Sequence, residues 1–541
     1  MGTLKRGLLL GTAYGLAVAV VNLGLLVVPT IQRRFGPGPS FLWETALLVI
    51  ALGALLGLVG APLLRLRFWR VSGTMLAVVW LTLSWLGLEW FVPFEAPLAL
   101  PLMIGPPLGA LLLVPLGLWM TRWRVWLPWA LGGLLLAVAI MTPGVYIAAT
   151  APPKIERTEP PPAPEGAPDI VLVVLDTVRA ANVSAYGYAR KTAPTLETLA
   201  REGVLYSDAT APSTWSMPSH ASLFTGRYPS SHGAHGENLV LDDRFPTLAQ
   251  VLSARGYETF CFTSNAWISD GLGLTRGFGW QDGSWRETGG AGRNFIFIHR
   301  LLDRLGFGAD DKGGAIVTAR FGEWMRERPA DARPSFVFLN FIEAHFPYHQ
   351  LPREYVSRYT DRALPELEDI SMALMAQQFG GPGRDPAEAG PPARDMYDGG
   401  VLYTDLLLQR VVEAIRARGS LDRTILVVLA DHGEILGERA GFFGHGPSLY
   451  QQAVSVPLLV RYPPKIPAGA RVEAPVSTVG VFATILDLAD IEAPPTLQVG
   501  SLAPLANGSD EDPGPVLSEI MKATFLGGEP PSFPDPLMHG D

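Results

Sequence analysis

A few ligand-type and nucleophilic side chains stand where the chain leaves apolar runs. Asp176 closes the run in LVVLDTVR. A carboxylate at a strand exit can face a cleft and bind a cation, and it can equally serve as a helix cap or turn residue. Asp431-His432-Gly433-Glu434 closes a second run, TILVVLADHGE. Two adjacent ligand-type side chains can both reach one metal there, because the backbone has left the pleat. Carboxylate oxygen with imidazole nitrogen suits a divalent cation such as Zn or Mn and, less readily, Mg or Ca.

The third group lies in STWSMPSHASLFTGR, residues 213–227. Ser216 is expected to cap a helix, with Pro218 in the first turn. A helix N-terminus presents free N–H groups and the positive dipole end, which suits an anionic oxyester. A hydroxyl held there becomes a nucleophile when a metal lowers its pKa. Arg227 is expected either to neutralise substrate charge or to cap the C-terminus of the same helix. His345 falls in NFIEAHFPYH and His445 in FFGHGPSLY. His220, His345, His432 and His445 all lie at or near strand exits or the candidate helix, which points to a single site.

The elements that must position these groups follow from periodicity. Short, apolar, β-branched runs at 170–175, 258–264, 335–342, 424–430 and 457–462 read as buried strands. Helical patterns occupy 194–202, 247–255, 314–327 and 396–418. The alternation predicts an α/β fold with helices on both faces of a sheet, where reacting groups collect beyond the carboxyl ends of the strands. Residues 360–395, rich in Pro, Gly and Ala, are expected to form an insertion or mobile loop.

Composition divides the chain. Its 42 basic and 51 acidic residues give 42 − 51 = −9, a balance that argues against nucleic acid as partner. Cys261 is the single cysteine, so no intrachain disulfide and no thiolate metal site can form. Residues 1–150 hold nine Lys/Arg and three Asp/Glu, 9 − 3 = +6. Within them, 7–29, 41–64, 73–92, 97–120 and 127–149 are long and nearly uncharged, and they read as five membrane spans. Lys5, Arg6, Arg65, Arg67, Arg70, Arg122 and Arg124 would share one side against Arg33 and Arg34 on the other. The positive-inside rule then puts the N-terminus in the cytoplasm and everything after residue 150 outside it. Residues 151–168, APPKIERTEPPPAPEGAP, read as an extended proline-rich linker to a catalytic domain at 169–541.

Five blocks in this order, LDTVRA, SMPSHASLFTGR, EAHFPY, YDGGVLYTD and ADHGE…GHG, resemble the sulfatase family of the alkaline phosphatase superfamily. The resemblance spans about Asp169 to Asp490 and implies an alkaline-phosphatase/sulfatase-like α/β/α sandwich. It implies one divalent cation (Ca, Mg, Mn or Zn) at the sheet's carboxyl edge, held by Asp176, Asp431 and His432. Ser216 matches the nucleophile that also touches the metal, and Arg227 the basic residue near it. His345 and His445 match positions that hold the substrate anion or protonate the leaving group.

Three departures stand out. Family members usually carry Cys, sometimes Ser, in a Cys/Ser-x-Pro-Ser-Arg motif oxidised to formylglycine; here Ser216 is followed by His220 at the arginine position, which argues against that maturation. A second acidic ligand is common where this chain has Thr177. The smaller C-terminal subdomain of the family is expected to be short or truncated after residue 515.

The resemblance implies a membrane-anchored, extracytoplasmic hydrolase of sulfate or phosphate esters, with an anionic ester, lipid- or glycan-borne, as substrate. Membrane-bound phosphoglycerol and phosphoethanolamine transferases also join five spans to such a domain, so transfer to an envelope lipid or glycan is the alternative. A third reading, of another class, is an inactive membrane sensor or scaffold.

Overall fold

The computed structural model describes residues 163–520 except 165, 237, 285–310, 330, 379–383, 440 and 447. The five expected spans and most of the expected linker lie outside the described residues. Among the described residues no helix is long and apolar enough to cross a membrane. All described residues fall in one unit, Thr158–Gly290 with Gly308–Asp541.

The centre is an eight-stranded mixed sheet. Its strands are β1 (Asp169–Leu175), β2 (Val204–Tyr206), β4 (Glu258–Thr263), β5 (Trp280–Gly283), β6 (Ser335–Phe341), β7 (Thr424–Leu429), β11 (Leu458–Arg461) and β12 (Ala470–Val472). They lie in the order β12-β2-β11-β7-β1-β6-β4-β5. The run from β7 to β5 is parallel, and β11 alone is antiparallel to both of its neighbours. Every residue of β6 and β7 is buried. Successive strand residues face opposite sides, so both faces of the sheet are covered, and the runs are continuously apolar rather than alternating. Short strands β3 (Ala209–Thr210), β10 (Ser455–Val456) and β13 (Val476–Ser477) form a small separate sheet, and β8 (Ile435–Arg439) pairs with β9 (Phe442–Gly444). These pieces have too few residues to show a period in the sequence.

The main helices are α1 (Pro194–Glu202), α2 (Ser216–Thr225), α3 (Leu248–Ala254), α4 (Gly314–Glu327), α5 (Leu364–Gln378), α6 (Pro386–Ala417) and α7 (Val481–Leu488). Within 360–395, expected to be an insertion or mobile loop, the described residues are mostly helical, in α5 and the first turns of α6, which corrects the loop alternative. The helix expected from residue 396 begins ten residues earlier, at 386. Pro386 is tolerated in the first turn, where its missing N–H has no helical partner to lose, and the Asp385 side chain accepts from the Ala387 N–H at 2.9 Å. Pro391 and Pro392 remove only two interior hydrogen bonds from a 32-residue helix whose inner face is packed by Met396, Tyr397, Val401 and Leu408. Tertiary packing outweighs that local cost.

Candidate metal and ester site

Strand register brings the first groups together. Thr263, Asn340, Val174 and Leu429 form one row across β4, β6, β1 and β7. Two residues further along three of these strands stand Asn265, Asp176 and Asp431. The parallel run thus delivers an amide and two carboxylates to one stretch of the carboxyl edge, where neighbouring strands are about 5 Å apart.

Asp176 is fully buried. Its Oδ2 accepts from Ser216 Oγ at 3.2 Å and from Asn265 Nδ2 at 2.6 Å. Asp431 Oδ1 accepts from the N–H of His432 at 2.9 Å and of Thr177 at 3.3 Å. His432 Nε2 lies 3.4 Å from Asp431 Oδ2, 3.8 Å from Asp176 Oδ1 and 3.5 Å from Ser216 Oγ. Its Nδ1 meets the Gly433 carbonyl at 3.0 Å, which orients the ring.

The donor set fits a cation. Asp176, Asp431 and His432 each offer one ligand atom, all within 4.8 Å of one another. Asp176 Oδ1 and Asp431 Oδ2 are buried without a hydrogen-bond partner. Buried carboxylate oxygens rarely stay unpaired, because desolvation is costly. Burial, with the neighbouring Asp431 charge adding to it, pushes Asp176 up to about 7. Burial likewise pushes Asp431 up to about 7. A divalent ion at their common focus would restore both charges.

Ser216 is the first residue of α2, and Trp215 is the cap. This corrects the expectation that Ser216 itself caps the helix: its hydroxyl turns to Asp176, Asn265 and His432 instead of to the helix backbone. His220, one turn on, places Nδ1 2.8 Å from the Ser216 carbonyl and 3.4 Å from Asp431 Oδ2. Its ring packs edge-on against Phe224 and Phe338, and burial holds it down to about 4, hence neutral.

His345 and His445 join the cluster. Ring centroids of His432 and His445 are 4.4 Å apart, and those of His445 and His345 4.9 Å. Burial pushes His345 down to about 3 and His445 well below the ordinary histidine value. Glu434, buried and pushed up to about 7 by its burial, sits 3.3 Å from His445 Nδ1.

Arg227 does not join it. It follows the far end of α2, a helix of ten residues and hence about 15 Å long. Its Nε donates to Ser231 Oγ at 2.8 Å, its Nη1 to the Thr496 carbonyl, and its guanidinium lies 4.1 Å over the Phe245 ring. The expectation that it neutralises substrate charge is thereby corrected.

Asn265 was missed by sequence reasoning. Its amide reaches both Asp176 Oδ2 and, at 3.2 Å, Ser216 Oγ. The available signal was its place just past the strand predicted at 258–264.

A buried carboxylate pair and an imidazole facing a helix-borne hydroxyl, at the carboxyl edge of an α/β sheet, define a class of ester-cleaving, cation-binding sites. The family model described as Sulfatase matches residues 168–491. The chain belongs to the sulfatase family, whose members are metal-dependent sulfuric ester hydrolases. It is 23% identical over 374 residues to the ulvan-active sulfatase of Formosa agariphila, covering 67% of this chain and 70% of that one. It is 28% identical over 428 residues to the steryl-sulfatase of Mus musculus, covering 67% of each. The fold resembles that of the phosphonate monoester hydrolase of Agrobacterium radiobacter, with a TM-score of 0.53 and 22% identity, over 64% of this chain and 79% of that one.

Proposed function

We propose that the chain hydrolyses sulfate esters, or phosphate esters of similar shape, with Ser216 as nucleophile beside one divalent cation held by Asp176, Asp431 and His432. The observation that carries the reading is the convergence of the Ser216 hydroxyl, 3.2 Å from Asp176 Oδ2 and 3.5 Å from His432 Nε2, on two orphaned carboxylate oxygens. A bound cation would supply charge neutralisation for the ester and a lower pKa for the hydroxyl. Ser216 Oγ attacks sulfur or phosphorus, its proton leaving toward Asp176 Oδ2, and the bond to the departing alcohol breaks. Water, giving a proton to the histidine that protonated the alcohol, then attacks the transferred group; its bond to Ser216 Oγ breaks, and Oγ takes its proton back from Asp176. Asn265 Nδ2 holds Oγ and Asp176 in register. The N-terminus of α2 faces the charge that gathers on the transferred group. His345 and His445, neutral at rest, offer N–H groups to the leaving oxygen, and an arriving anion favours their protonated forms.

The names of the relatives support a sulfated glycan or a sulfated alcohol as substrate. The five sequence-predicted spans support a membrane-held enzyme whose site faces away from the cytoplasm. A serine at position 216 without the arginine of the formylglycine motif supports phosphate chemistry as the second reading, by hydrolysis or by transfer to a lipid or glycan.

Purified, cation-loaded chain assayed on 4-nitrophenyl sulfate, 4-nitrophenyl phosphate and bis(4-nitrophenyl) phosphate tests the reading. Ser216→Ala should cut kcat by on the order of a thousand-fold or more while cation content stays near that of the parent. Turnover unaffected by Ser216→Ala, or absent from the loaded parent on all three esters, would overturn it. Peptide mass spectrometry across residue 216 separates serine from formylglycine.

A further inference from the structure

Thr177, between the two orphaned carboxylates, adopts φ 62°, in the left-handed region. A β-branched residue is strained there, and such strain persists only when the surroundings hold it. The Tyr397 hydroxyl, from α6 and fully buried, supplies the hold from outside the strand. It donates to the Thr177 carbonyl at 2.7 Å and accepts from the Arg179 N–H at 3.0 Å. One hydroxyl thereby clamps both sides of Val178. Within the clamped turn, Thr177 Oγ1 donates to the Asp176 carbonyl at 2.7 Å, and the Thr177 N–H reaches Asp431 Oδ1 at 3.3 Å. Relaxing φ to negative values rotates the peptide between Asp176 and Thr177. The turn then no longer keeps both the Thr177 N–H on Asp431 Oδ1 and the Thr177 carbonyl on Tyr397, and the exit that carries Asp176 loses its hold.

We propose that Tyr397 is a positioning residue for the cation site: its hydroxyl braces Thr177 in the left-handed conformation and so aims the carboxylates of Asp176 and Asp431 at one point. The inference rests on the cation reading above and adds a residue 220 positions away in sequence from the turn it controls. It also gives Thr177, which stands where relatives commonly place a second acid, a function through its backbone rather than its side chain.

A double-mutant cycle on cation binding tests it, with Mn²⁺ titrated calorimetrically into metal-stripped parent, Tyr397→Phe, Thr177→Gly and the double variant. Glycine adopts positive φ without penalty, so it needs no brace. Tyr397→Phe should weaken Mn²⁺ binding about 10–100-fold in the parent, as losses of outer partners of metal ligands do, but less than about 3-fold in the Thr177→Gly background. Equal losses in the two backgrounds mean that Tyr397 serves packing alone and overturn the inference, as does an unchanged affinity in Tyr397→Phe. If Tyr397→Phe alone does not fold, the double variant must; a double variant that also fails to fold overturns it. A parent that binds no Mn²⁺ or Zn²⁺ overturns the cation reading itself, which distinguishes that failure from a parent that binds while the cycle shows no coupling.

Discussion

The Asn265 amide donates to Asp176 Oδ2 at 2.6 Å, joining two strand exits with that of β6 between them. The same nitrogen reaches Ser216 Oγ, so one side chain sets the separation of hydroxyl and carboxylate.

Removing that link should slow the chemistry without emptying the site. Asn265→Ala is expected to lower kcat about 10–100-fold, with KM changed much less, because Ser216 loses its alignment while Asp176, Asp431 and His432 remain. Steady-state kinetics together with metal content by mass spectrometry checks this. A kcat within about 3-fold of the parent would show that Asn265 is dispensable.

Cation affinity should depend on pH with a definite sign. Burial raises Asp176 and Asp431 to about 7, so below that pH the metal-free fold holds protons that a cation must displace. Affinity is therefore present above pH 7 and lost as pH falls through it, with up to two protons released per ion. For folding of the metal-free chain the sign is reversed. These two raised carboxyls contribute stability that is present below their unfolded value of 3.8 and lost as pH rises through about 7. Calorimetric titrations in buffers of different ionisation enthalpy measure the proton release. An affinity that stays flat between about pH 5.5 and 8 would refute the assignment of these carboxylates as ligands.

Arg227 should matter for stability rather than turnover. Arg227→Gln removes the contacts to Ser231, the Thr496 carbonyl and the Phe245 ring, and is expected to cost about 1–2 kcal/mol in urea unfolding. Its kcat/KM should stay within about 3-fold of the parent. A loss of a hundred-fold or more would place Arg227 at the substrate after all.

The sequence by itself pointed to the α/β class, to five strands of the central sheet, four of which lead into the site, and to Asp176, Ser216, His220, His345, Asp431, His432 and His445 as one group. It could do so because fully buried strands write continuous apolar runs, and because chemistry at their exits uses residue types that such runs exclude. Tertiary structure alone decided the rest. The segment 360–395 looks irregular by composition, yet α5 and α6 cover most of it, since packing overrides the local cost of Pro391 and Pro392. Arg227 shares a motif with Ser216 but not a location, because a ten-residue helix separates them. Asn265 reaches Asp176 only through the strand order β1-β6-β4, and Tyr397 reaches Thr177 only through the packing of α6. Spacing along a chain records which residues share an element; which elements then become neighbours is settled by how their apolar faces pack, and that appears in no local window of sequence.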